Sequence, residues 1–205
     1  MAAFSYLTIQ KPSVGVYKEK GSKFLAFAYP VESEVDIKAR MDGLKKEYFD
    51  ARHHCFAWML GPEKKQFRAN DDGEPNHSAG DPILGQIRSK DLTNILVVVV
   101  RYFGGVKLGV GGLIGAYKAA AEDALVNAVV IEQTVYCKFK MNYNYAETPE
   151  VMRMVKDFDL IIRHQEFNEN CILQGEVALR VQPEFAKKVN LLKAMGSSVM
   201  LDTRY

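Results

Sequence analysis

Between Arg101 and Tyr117 the chain reads Arg101-Tyr-Phe-Gly-Gly-Val-Lys-Leu-Gly-Val-Gly-Gly-Leu-Ile-Gly-Ala-Tyr117, a strand-like run passing through five glycines into a helix-like one. Gly104, Gly105, Gly109, Gly111 and Gly112 let backbone amides converge on an anion, and a helix start adds unpaired N–H groups and a partial positive charge. Arg101 and Lys107 are placed to close over a phosphate from the side. The segment matches neither G-x-x-x-x-G-K-[ST] nor G-x-G-x-x-G, because Ile114 stands where the third glycine of the latter belongs. A purely architectural reading is open beside the phosphate one: glycines permit a tight turn, and the G-x-x-x-G spacings at 105/109 and 111/115 allow a helix to approach a sheet closely.

A second segment, Asn70 to Asp81, gathers Asp71, Asp72, Glu74, His77 and Asp81 among glycine, proline, asparagine and serine. Hard oxygen ligands and one imidazole suit Mg²⁺ or Ca²⁺, but the spacing is not that of an EF-hand. Asx turns account for the same letters, and a mobile loop without a metal is the expectation. Arg52-His-His-Cys55 sets a thiol beside imidazoles. On a strand His54 points away from Cys55 and His53 lies sideways along its face, so a Cys–His pair needs a histidine from elsewhere, such as His77; a buried thiol is the simpler reading. Finally, Lys138, Lys140 and Arg180, with Tyr136, fall on polar positions of C-terminal strands, where either a solvated sheet face or an RNA-contacting one is expected; no RNP1-type aromatic motif accompanies them.

The elements that must position these residues follow from periodicity. Lys23 to Val31 reads as a strand. Ser33 as N-cap with Asp36 three residues on, and Ile37, Met41, Leu44 and Tyr48 on one stripe, predict a helix to about Glu47. His53 to Leu60 alternates as a strand, Pro82 to Ile87 opens a short helix, and Asn94 to Phe103 is apolar on both faces, as a central strand is. Leu113, Tyr117, Ala120, Ala124 and Ala128 carry the long helix after the glycines. From 131 onward the order strand, helix, strand, strand, helix, strand predicts a ferredoxin-like domain. Its first strand is expected to run from Ile131 to Met141, its third from Cys171 to Val181. Domains 1–130 and 131–205 make an α+β chain.

The 205 residues are 48% hydrophobic and 25% charged, the balance of a folded chain. A net charge of +2, divided as 17 basic against 15 acidic residues in 1–130 and 10 against 10 in 131–205, rules out a partner chosen by a global field. Ile95 to Val100 is the longest apolar run, far short of the roughly 20 residues that span a bilayer as a helix. Residues 1–10 lack the features of a secretory signal, and Cys55, Cys137 and Cys171 read as three buried thiols, so a cytoplasmic location is expected.

Five blocks, Gly21-Ser-Lys-Phe-Leu-Ala, Ala51-Arg-His-His-Cys-Phe-Ala, Asp71-Asp-Gly-Glu-Pro, Ala79-Gly-Asp-Pro-Ile-Leu and Arg101-Tyr-Phe-Gly-Gly-Val-Lys-Leu-Gly, occur in the order that resembles the IMPACT family in its bacterial YigZ-like form. The resemblance spans about residues 15–128. It departs at Asn76-His77-Ser78, where the family usually has Ser-Gly-Thr. It implies a fold like domain 2 of ribosomal protein S5, followed by a ferredoxin-like domain resembling domain V of elongation factor G. It also implies a role around translation, since eukaryotic relatives restrain the kinase that phosphorylates an initiation factor. No catalytic residues or cofactors carry over. The expectation is therefore a non-enzymatic module contacting RNA or the ribosome through Arg101, Gly104, Gly105, Lys107, Gly111, Gly112, Lys138, Lys140 and Arg180, with a protein partner in translation control also open. The alternative is an enzyme or binder for a phosphorylated small molecule or nucleotide, with a metal held by Asp71, Asp72, Glu74 and His77.

Overall fold

A computed structural model describes residues 3–204. The chain divides into two compact units, Ser5–Gln133 and a second that begins at Thr134 and takes in Phe4. The division falls three residues after the expected position because the strand Val130–Thr134 (β7) pairs with Ser5–Ile9 (β1), an element the sequence pattern did not reveal.

The first unit is built on an antiparallel sheet of five strands: Ser13–Glu19 (β2), Ser22–Pro30 (β3), His53–Leu60 (β4), Gln66–Asn70 (β5) and Ile95–Tyr102 (β6), in the order β2-β3-β6-β4-β5. Ile95 to Val100 are fully buried, as a strand in mid-sheet covered on both sides requires. Helix Glu34–Glu47 (α1) covers one face with Ile37, Met41 and Leu44, over Phe27, Trp58, Leu96 and Val98. Ser33 caps it, its hydroxyl accepting the Asp36 N–H at 3.2 Å. Helices Gly80–Ser89 (α2) and Gly109–Val126 (α3) cover the other face through Ile83, Ile87, Leu113, Ala116, Tyr117 and Ala120, over Phe24, Ala26, Cys55, Ala57, Val97 and Val99.

Close approach of α3 to the sheet depends on a strand glycine rather than a helix one. A Cβ at Gly15 of β2 would stand 2.2 Å from the Ala124 nitrogen. The outer edge of β2 is closed by the same helix: the Val16 N–H donates to Asp123 at 2.8 Å and Asn127 donates to the Val14 carbonyl at 2.9 Å. Side chains thus satisfy edge groups that would otherwise template another strand.

The second unit runs Tyr136–Asn144 (β8), Thr148–Asp157 (α4), Ile161–Glu166 (β9), Asn170–Ala178 (β10), Gln182–Ala194 (α5) and Met200–Arg204 (β11), with sheet order β11-β8-β10-β9, every neighbour antiparallel. This is the βαββαβ order read from the sequence. Cys137, Phe139, Met141 and Tyr143 alternate inward from β8 onto Val151, Met154, Phe185 and Val189, while Tyr136, Lys138, Lys140 and Asn142 point outward. The single strand expected from Ile131 to Met141 is two, broken at Val135, whose N–H donates to the Phe4 carbonyl at 2.8 Å.

Candidate functional site

All the motif blocks of the first unit meet at one end of its sheet, where β2 and β6 finish and β3 and β4 begin. Register fixes the meeting: Arg101 lies opposite both Phe24 and His53. Arg101 is only 7% exposed. Its Nη1 donates to Glu74 Oε1, which also accepts the Tyr117 hydroxyl at 2.8 Å. The Cys55 thiol lies 3.3 Å from that hydroxyl and 3.0 Å from the Asp71 carbonyl. Phe24 packs edge-on against Tyr117, centroids 5.1 Å apart, and sits 5.5 Å below the Arg101 guanidinium. A buried charge pair is tolerated only with such additional partners. Burial pushes the Cys55 thiol up to about 12 and raises the Tyr117 phenol as well, so both stay protonated at neutral pH.

This placement corrects the expectation that Arg101 closes over a phosphate. Its guanidinium is turned inward, stacked on Phe24 and paired with Glu74. From the sequence Glu74 is a candidate metal ligand of the acidic loop and Tyr117 a core residue of the long helix. For Tyr117 the signal is present in the spacing, since a Tyr at the eighth position after Gly109 falls on the face of α3 that meets the sheet.

The segment after β5 is pinned rather than loose. Asp71 accepts three backbone N–H groups, from His77 at 2.8 Å, Ala79 at 2.9 Å and Gly80 at 2.8 Å, and so caps α2 across the turn. Burial alone would raise the Asp71 carboxyl, but these amides outweigh it and hold the group below its ordinary range. Asp72 accepts the His54 N–H at 2.6 Å, while its own carbonyl lies 2.8 Å from His53 Nδ1. Asp72, Gly73 and His77 all take left-handed backbone, at φ 42, 86 and 63. His77 is thus a residue with a Cβ in backbone that favours glycine. Its ring reaches Asp81 at 2.6 Å, not Cys55, and that pair raises the His77 pKa. The carboxylates of Asp71, Asp72 and Glu74 are thus engaged by backbone amides, Arg101 and Tyr117, which removes the metal-holding role offered for this loop. Among the described residues no His, Cys, Asp and Glu group is arranged to hold a metal ion.

The glycine-rich turn lies outward of this network. Gly104 has an architectural reason: a Cβ there would fall 1.9 Å from the Gly21 carbonyl carbon, and its N–H donates to Ser22 Oγ at 3.1 Å. Gly105 and Gly109 take φ 87 and 73. Gly111 and Gly115 face open space, so the helix–sheet packing offered for the 111/115 spacing does not occur. Lys107 is exposed, as are Phe103, Val106, Val110 and Ile114. The α3 start carries no capping side chain and no acid in its first turn. A groove of about 620 Å³ in this unit, lined by Thr8, Gln10, Arg40 and Asn94 among others, contains none of these motif residues.

In the second unit Lys138 and Lys140 occupy the solvent face of the sheet, but each stands beside acids. Lys138 is opposite Glu176, and Lys140 is opposite Asp202. Arg163 pairs with Glu176 at 2.8 Å on the same face. Arg180 is not on this face: β10 ends at Ala178, and Arg180 falls in the turn before α5.

Comparison with known proteins places the whole chain. The Impact N-terminal domain model matches residues 20–125. IMPACT family member YigZ of Escherichia coli is 29% identical over 187 residues, covering 90% of this chain and 92% of that protein. A Saccharomyces cerevisiae protein named Protein IMPACT homolog is 38% identical over 96 residues, covering 44% of this chain and 36% of its own length. A crystal structure of a hypothetical protein superposes with a TM-score of 0.75 at 29% identity, covering 98% and 97% of the two chains.

Proposed function

The chain belongs to the IMPACT family, and from that premise we propose that it is a non-enzymatic, translation-associated binding protein whose Gly104–Gly112 turn and Lys107 meet the phosphates of RNA or the ribosome. Family membership supports a translation-related role, because eukaryotic members regulate translation. The pairing of folds adds to this reading: residues 1–130 are read as similar to domain 2 of ribosomal protein S5, and 131–205 to domain V of elongation factor G. A cytoplasmic location belongs to the same proposal; no helix among the described residues is long and apolar enough to cross a membrane.

The observation that carries the proposal is the contrast of partners within one motif. Arg101 is consumed by the interior, whereas Lys107 lies exposed with no ion pair among the described residues, next to a helix start without an acid. Cations held near unpaired amides are the elements of phosphate recognition. In this reading Cys55 and the carboxylates of Asp71, Asp72 and Glu74 are structural groups, the thiol buried and protonated and the carboxylates held by backbone amides, Arg101 and Tyr117. Lys138 and Lys140 remain secondary contacts in this proposal, weakened by Glu176 and Asp202 across the strands.

The test is sedimentation of the tagged protein with ribosomes on lysate density gradients at low and high salt, comparing wild type with Lys107→Ala. Salt-sensitive co-migration that the substitution reduces is expected. Migration only at the top of the gradient at low salt overturns the proposal. Arg101 is left intact in this test because its loss would disturb folding.

A further inference from the structure

The turn joining β2 to β3 is built against its local interest. Lys18 and Lys23 stand directly opposite each other in the antiparallel register, and like charges so placed repel. Lys20, between them, takes a left-handed backbone at φ 46, a conformation that disfavours any residue with a Cβ. All three are exposed, and no ion pair among the described residues reaches them. Glu19, between Lys18 and Lys20 in sequence, lies 3.5 Å from the Tyr17 hydroxyl, and Asp50 accepts the hydroxyl of Tyr102, which stands opposite Lys23, at 2.7 Å.

This turn is locked to the glycine-rich one. Gly104 packs backbone to backbone on Gly21, and its N–H donates to Ser22. The lock brings Lys18, Lys20 and Lys23 to the same end of the sheet as Lys107 and the exposed Arg52, which precedes β4. Phe103, next to Gly104, is 56% exposed, with the Arg101 guanidinium 5.8 Å from its ring centroid. Arg101 is itself held by Glu74, so the aromatic ring has a fixed cation at its side.

We propose that this sheet end, which presents Phe103 beside Arg101 and carries Lys18, Lys20, Lys23, Arg52 and Lys107 along its edge, binds single-stranded RNA, with a base stacked on Phe103 and the lysines on flanking phosphates. The inference rests on the RNA-contacting reading above and specifies its site and the form of the RNA. A cation-bordered aromatic left open to solvent is the arrangement that takes unpaired bases, whose faces are available, whereas a duplex buries them.

The probe is fluorescein-labelled U12, compared with a 12-base-pair RNA duplex by anisotropy at several salt concentrations. Wild type is expected to prefer U12. Phe103→Ala should weaken U12 binding about tenfold or more, with Phe103→Tyr restoring most of it. The triple variant Lys18→Gln, Lys20→Gln, Lys23→Gln should lower the slope of log K against log salt by about two, at roughly 0.7 per phosphate contact on a single strand. Circular dichroism melts establish that each variant is folded. Equal or tighter duplex binding overturns the inference, as does U12 binding that falls with Lys107→Ala but not with the Phe103 or triple variants; in that second case the broader reading stands. Absence of all RNA binding at low salt, including the case where a protein partner is captured from nuclease-treated lysate instead, overturns both.

Discussion

Arg101 and Lys107 are six residues apart in one motif and have opposite fates. Arg101 is the next-to-last residue of a strand buried from both sides, so its charge is tied to Glu74, itself bonded by Tyr117, and stacked on Phe24. Lys107 lies in a turn that leaves the sheet before α3 begins, and its charge stays in water. The motif therefore encodes two jobs: its beginning fastens the 71–79 segment to the sheet end, and its middle presents a surface. A family pattern of this kind marks residues that matter without saying on which side of the fold they act.

The sharpest way to break that comparison is through Glu74. Glu74→Ala should cost about 3–5 kcal/mol of stability in urea unfolding, because it strands a buried guanidinium. The double variant Glu74→Met, Arg101→Met should recover most of this, since apolar residues of similar size replace such pairs at little loss. A Glu74→Ala cost below about 1 kcal/mol would show that Arg101 is free to turn outward, and its assignment to the interior would fail.

Asp71 sharpens the same point at smaller scale. Asp71→Ala leaves three amides without their acceptor and should cost about 1–3 kcal/mol. Because its folded pKa is depressed, the carboxylate's contribution is present above the ordinary aspartate range and disappears as pH falls through the lowered value. The acid limb of a stability–pH curve should therefore flatten in Asp71→Asn relative to wild type. An unchanged limb would remove Asp71 from the set of groups that pin the loop.

On the outer side the expected sign reverses. Gly111→Ala and Gly115→Ala meet open space at ordinary helical φ, so each should raise stability by about 1 kcal/mol, read as a higher melting temperature. Lys107→Ala should leave stability within about 0.5 kcal/mol of wild type. A destabilised Gly111→Ala would expose packing on the α3 face and undo its description as open surface.

How much of this was legible in sequence follows from which physics each feature uses. The α1 stripe, the fully buried β6 and the βαββαβ order all leave a periodic trace, and all are found where periodicity puts them. β1 and β2 leave little trace, since each alternates weakly and is stabilised by distant partners, β7 for β1 and Asp123 and Asn127 for β2. Sequence spacing singles out Arg101, Asp71, Asp72 and Glu74 but not Tyr117 as a partner of Glu74, and the roles of these residues are not readable from it. Whether Glu74 faces a cation in solution or Arg101 in the interior depends on register 27 residues away, which no local spacing reports. Arg180 shows the converse error, because the strand pattern to Val181 runs three residues past Ala178 into a turn.

The finest test of the comparison is the one exposed ion pair of the pinned loop. His77 lies on the solvent side of the segment whose other side is Asp71 and Glu74, and Asp81 four residues on raises its pKa above the ordinary histidine value. A raised folded value means that any stabilisation is present below the unfolded pKa and is lost as pH climbs through the folded one. An NMR titration should place the His77 ring above its ordinary value in wild type and return it toward that value in Asp81→Asn. Buffer salt should shrink the difference, because screening is effective at the surface. The buried side makes the opposite prediction for His54, whose pKa burial lowers, so its ring should stay neutral through the range in which His77 titrates. Two histidines 23 positions apart in sequence, shifted in opposite directions from the ordinary value, would separate the interior of this sheet end from its surface in a single spectrum.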